Sequence, residues 1–66
     1  METAERAVEV EGMGFVVRTW RSLAADGWFW VVPAEDHDFR AEGRRAWASE
    51  RLAIEAAVAH LTRAVA

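Results

Sequence analysis

Gly27-Trp28-Phe29-Trp30-Val31-Val32-Pro33 is the stretch whose reading decides the fold of this chain. Aromatic and β-branched residues favour extended backbone. A strand sends successive side chains to opposite faces, so both faces of this strand are apolar. Gly27 opens the run, and Pro33 closes it because proline has no N–H to give a neighbouring strand. A chain of 66 residues has room for one good helix, which can shelter only one side of a small sheet. The other side then requires a ligand, a partner or a second copy of the chain.

Moving towards the N-terminus, Phe15 to Trp20 reads as a preceding strand, with Phe15, Val17 and Thr19 on one face and Val16, Arg18 and Trp20 on the other. Ser22 to Gly27, with Asp26-Gly27 at its end, is the hairpin connection between the two. Gly12-Met13-Gly14 offers the positive φ angles of a tighter hairpin. Before it, Val8 and Val10 alternate with Glu9 and Glu11 as a short edge strand with one wet face. Residues 1–6 are expected to be a disordered tail. They lack the basic segment and apolar core of a signal peptide.

Towards the C-terminus, the polar stretch after Pro33 to Gly43 is expected as a surface loop, and Arg44 to Ala48 as a fourth strand whose one large apolar side chain is Trp47. Ser49 stands where a helix N-cap belongs, with Glu50 in the first turn favouring the dipole. The helix is expected to run to about Val65. At about 100° per residue, Ile54, Ala57, Val58, Leu61 and Val65 share a stripe that Ala53 and Ala64 widen. Leu52, Ala56 and Ala59 lie nearly opposite, around Arg63. The expected architecture is one domain over residues 1–66. It is an α+β fold, an antiparallel three- to four-stranded β-meander with the C-terminal helix on one face.

The chain has no cysteine, so neither disulfides nor thiolate metal sites hold it together. A domain of this size buries only about 60% of the surface that its unfolded chain exposes. Four Trp and three Phe therefore point to aromatic packing and oligomerisation as sources of stability. No apolar run approaches the roughly 20 residues of a membrane span, and a cytoplasmic location is expected. All eight basic residues are Arg. With the abundance of Ala, that suggests a GC-rich, bacterial genome. The net charge of −3 argues against unspecific nucleic-acid binding.

Catalytic and metal chemistry find little support. Glu35, Asp36, His37 and Asp38 offer hard ligands, but adjacent residues need a turn to converge on one ion, and no glycine stands where an EF-hand loop requires it. They read as a solvated loop. His60 reads as a boundary residue whose ring packs while its nitrogens meet water. Thr19, Ser22 and Ser49 lack an evident base, and no phosphate-cradling GxxxxGK loop occurs. No enzyme activity, cofactor or metal site is expected.

Arg and Trp are interleaved: Arg18 and Arg21 flank Trp20, while Arg44 and Arg45 precede Trp47. Aromatics on a sheet can stack bases while Arg holds phosphates. The same residue types are also enriched at protein interfaces. The second reading ranks first, with Trp20, Trp28, Trp30, Trp47 and Leu52 as interface candidates. Arg18, Arg21, Arg44 and Arg45 are the candidates for a nucleic-acid surface.

The order Gly27, aromatic strand, Pro33, Glu35-Asp36, Gly43, then Ser49 followed by Ala53-Ile54-Glu55-Ala56 and Leu61, resembles HicB-like antitoxin domains over about half the chain. The Pro-Gly-Cys element of that family after the third strand is missing. The resemblance implies a three-stranded meander with one helix, and an antitoxin-type regulator. It carries over no functional residue. The leading expectation is a small non-enzymatic protein-interaction module, homodimeric through the aromatic sheet face, and the alternative is a nucleic-acid-binding or antitoxin-type regulator.

Overall fold

In the computed structural model, which describes residues 3–33 and 41–65, three long antiparallel strands form a meander. They are β1 (Thr3–Val10), β2 (Met13–Ser22) and β3 (Gly27–Val32). A two-residue β4 (Ala41–Glu42) extends the sheet in the order β1-β2-β3-β4, and α1 (Glu50–Val65) packs across one side. This is the expected α+β meander. No helix among the described residues is long and apolar enough to cross a membrane.

The β1–β2 hairpin turns through Glu11 and Gly12 at φ 53° and 79°, between the paired residues Val10 and Met13. Positive φ at both central residues gives a type I′ sense of twist, which matches the twist of the flanking strands. The turn therefore lies one residue earlier than Gly12-Met13-Gly14 suggested, and both strands are longer. Residues 3–6, expected in a disordered tail, pair with Val17 to Trp20 as the first half of β1. The ladder supplies partners for backbone that would otherwise be solvated.

The β2–β3 connection has four residues, Leu23 to Asp26, between paired Ser22 and Gly27. Asp26 lies at φ 53°, and Ala25 N–H donates to Ser22 Oγ (3.2 Å). This register pairs Thr19 with Trp30 and Trp20 with Phe29. Alternation then puts Phe15, Val17 and Thr19 on one face with Trp28, Trp30 and Val32. That face receives the helix: Phe15, Val17, Thr19, Trp30 and Val32 are buried together with Ala53, Ala57 and Leu61. It is the face free of charge along the middle of β2, whereas Arg18 stands in the middle of the other.

Helix α1 begins as expected. Ser49 Oγ accepts from Leu52 N–H (3.2 Å), and its carbonyl accepts from Ala53 N–H (3.1 Å). The buried line is Ala53, Ala57 and Leu61, with Ile54, Val58 and Val65 half-buried beside it. Ala64 is exposed, so the stripe is narrower on that side than expected. Small residues at Ala53 and Ala57 let the helix axis approach the sheet over Val17 and Trp30. Glu50 fastens this end of the helix: one carboxylate oxygen meets Arg6 of β1 (3.1 Å), and the other accepts from Thr19 Oγ1 (3.4 Å).

The fourth strand differs from expectation. Pairing of β3 with β4 joins Val31 to Glu42 and Val32 to Ala41. Of the expected strand Arg44–Ala48, only Trp47 pairs, exchanging both backbone hydrogen bonds with Trp28 at 2.8 Å. Between those pairings β3 advances three residues and its partner segment five. Arg44, Arg45 and Ala46 are accordingly bulged out of the ladder.

Candidate functional site

The face of the sheet opposite α1 is built by the alternate residues of the same three strands. Val16, Arg18 and Trp20 come from β2, and Phe29 and Val31 from β3. Glu5 and Ala7 come from β1. Trp20 and Phe29 stack at 5.6 Å between centroids with planes 18° apart, the offset arrangement that aromatic pairs favour. Val16, Trp20, Phe29 and Val31 are all half-buried by their neighbours in the sheet alone. No described helix or strand lies over them. Glu5 and Arg18, opposite each other in the β1–β2 register, form an ion pair in the middle of this face. Beside Trp20, an open hollow of about 650 Å³ is bordered by Thr3, Glu5, Arg18 and Val31.

The five interface candidates from sequence do not share one surface. Trp20 alone lies on the open face. Trp30 is 4% exposed in the core, and Trp28 and Trp47 pack against that core on the helix side. The cause is the alternation itself, because Trp28 and Trp30 fall in phase with Val32 and with the uncharged face of β2. Leu52 is half-buried in the first turns of α1. The open-face partners that sequence reasoning passed over are Phe29, Val16 and Val31. A four-residue loop pairing Ser22 with Gly27 sets Trp20 opposite Phe29, so the loop length was the signal that could have found them.

The four arginine candidates are divided as well. Arg18 lies on the open face with Glu5. Arg21 pairs with Trp28 in register and so belongs to the helix side. Arg44 and Arg45 are exposed in the bulge, where the Arg45 guanidinium lies 4.3 Å from the centroid of the Trp47 ring.

That bulge forms one wall of a second concavity, an open groove of about 440 Å³ against the outer side of α1. Gly43 lies flat on the Trp30 indole, where a Cβ would overlap the ring, and its N–H donates to Trp30 C=O (2.9 Å). His60 packs its ring against Trp30 at 5.3 Å, as expected of a boundary residue. Glu35, Asp36, His37 and Asp38 lie outside the described residues. Within the described residues no group of three or more His, Asp or Glu could hold a metal ion. Comparison with protein-family models, curated proteins and solved structures gives no match to this chain.

Proposed function

We propose that this protein is a non-catalytic interaction module that pairs with a second copy of itself through the open face of the sheet. The observation that carries the reading is the stacked Trp20–Phe29 pair, with Val31 beside it and Val16 beyond Arg18, on a face that no described element covers. Two features favour a second copy over an unrelated partner. The first is charge: Glu5 and Arg18 stand directly opposite each other at the middle of the face, with Glu9 and Glu42 further out on the same side. A two-fold contact presents the same patch to itself, so each copy can offer Arg18 to the other's Glu5. The second is shape, since an aromatic ridge and a hollow lie side by side on one face. Each copy can seat its ridge in the other's hollow.

Sedimentation between about 1 and 100 μM tests the reading, a range in which a micromolar contact passes from mostly free to mostly paired. The expected result is a concentration-dependent shift from monomer to dimer, abolished by Trp20→Glu with the circular-dichroism spectrum retained. A wild-type chain that stays monomeric at about 100 μM overturns it.

A further inference from the structure

The groove between the bulge and α1 is independent of the open face. Its apolar lining includes half-buried Trp47 and, on α1, half-buried Ala56 and exposed Ala59, whose small side chains leave room beside the bulge. Its rim is cationic. Arg44 and Arg45 stand on the bulge side, and Arg63 stands on the helix side one turn beyond His60. Ion pairs among the described residues engage Arg6, Arg18 and Arg51. Among the described residues, none of the Arg44, Arg45 and Arg63 guanidiniums has a carboxylate partner, and that of Arg45 lies over the Trp47 ring. Among the described residues, Glu42 is the sole acidic one lining the groove. Among the described residues lining the groove, three guanidiniums thus stand against one carboxylate, in a chain whose net charge is −3.

We infer that this groove binds a small amphiphilic anion, a flat or short apolar body carrying one phosphate or carboxylate group. The apolar body would lie on Ala56, Ala59 and the half-buried Trp47, and the anionic group would reach the guanidiniums beside them. Three observations converge on that chemistry. A volume of about 440 Å³ is that of a small-molecule site. Guanidinium presents paired donors in a fork that matches carboxylate and phosphate oxygens. The bulge holds Arg44 and Arg45 out of the ladder while the Trp28–Trp47 and Gly43–Trp30 backbone bonds fix both its ends. A nucleic-acid strand fits less well, since Arg18 and Arg21 lie elsewhere and, among the described residues, no continuous basic track leads out of the groove.

The test uses the full chain and follows the Trp30 and Trp47 indole N–H signals by nuclear magnetic resonance. Phenyl phosphate, benzoate, inorganic phosphate, benzyl alcohol and a single-stranded oligonucleotide are titrated in turn. Phenyl phosphate or benzoate is expected to shift the Trp47 signal saturably below about 10 mM, and inorganic phosphate and benzyl alcohol are expected to bind about tenfold more weakly. Arg45→Gln with Arg63→Gln should weaken phenyl phosphate by about tenfold or more. Ala59→Leu, which fills the space beside the bulge without removing charge, should weaken it as much in a folded chain. No saturable shift with either aromatic anion, equal binding of benzyl alcohol, equal binding of inorganic phosphate, or tighter binding of the oligonucleotide would each overturn the inference.

Discussion

Leu61 and Arg63 stand two positions apart on α1 and differ in everything that sets the cost of truncation. Leu61 is 0% exposed against the sheet, so Leu61→Ala removes both transfer free energy and packing partners and should destabilise by about 2–5 kcal/mol. Arg63 is exposed, and Arg63→Ala should stay within about 0.5 kcal/mol. Chemical denaturation of the two variants measures both, and equal losses would show the helix to be docked in another phase. Gly43 makes a sharper case. Its missing side chain is required not by a positive φ but by the buried Trp30 ring lying against it. A ring held between sheet and helix cannot swing away, so Gly43→Ala should cost about 1–3 kcal/mol through overpacking and should shift the Trp30 indole signal. Trp47 shows the opposite balance: its Nε1 is buried with no partner among the described residues. Trp47→Phe removes an unsatisfied donor while keeping an aromatic ring beside the core. It should therefore cost less than the roughly 3–5 kcal/mol of a Trp→Ala change, by the same measurement.

Among the elements, α1 was the most legible because its signals are local. Ser49 marked its first turn, and the periodic Ala, Leu and Val positions marked its buried side. The cap is a single side-chain bond to Leu52 N–H. Ser49→Ala should accordingly lower stability by about 1 kcal/mol, read as a lowered midpoint with an unchanged denaturant slope. Strand β2 was legible for a related reason: Phe15, Val17 and Thr19 alternate with Val16, Arg18 and Trp20, and the charged residue already told which set would be buried. Strand β4 was not legible, because Ala41 and Glu42 carry no strand signal of their own. Their pairing is supplied by the free edge of β3, and a ladder of backbone bonds accepts almost any side chain. The segment Arg44–Ala48 gave the wrong register for the same reason. Trp47 is held to Trp28 by backbone bonds, while its arginine neighbours leave the ladder. The open face was half legible. An apolar surplus was evident from Trp28 to Val32, but assigning it needed the hairpin register, which is a relation between two elements and not a property of either one.

At the scale of the whole molecule, a three-layer balance is incomplete: helix, sheet, and then nothing described over Trp20 and Phe29. In a chain of 66 residues, apolar surface of that kind is an appreciable share of what can be buried at all, and self-association would convert it into stability that rises with concentration. The Glu5–Arg18 pair allows the proposed two-fold contact to be separated from unspecific stickiness. If each copy's Arg18 meets the other's Glu5, Arg18→Glu alone places like charges across the contact and should abolish the dimer. Glu5→Arg combined with Arg18→Glu restores opposite charges in the swapped homodimer and should recover it. Mixed with wild-type chain, the double variant would set carboxylate against carboxylate at one of the two symmetry-related contacts and guanidinium against guanidinium at the other. Specific pairing therefore predicts two homodimer populations and few mixed dimers. Within one chain the swap keeps the register partners opposite in charge, so folding should be unaffected. Mass spectrometry of the intact mixture under native conditions reads the three populations directly. A statistical mixture, with the hybrid at about half of all dimers, would show that the apolar residues associate without the charge register and would remove the two-fold geometry proposed here.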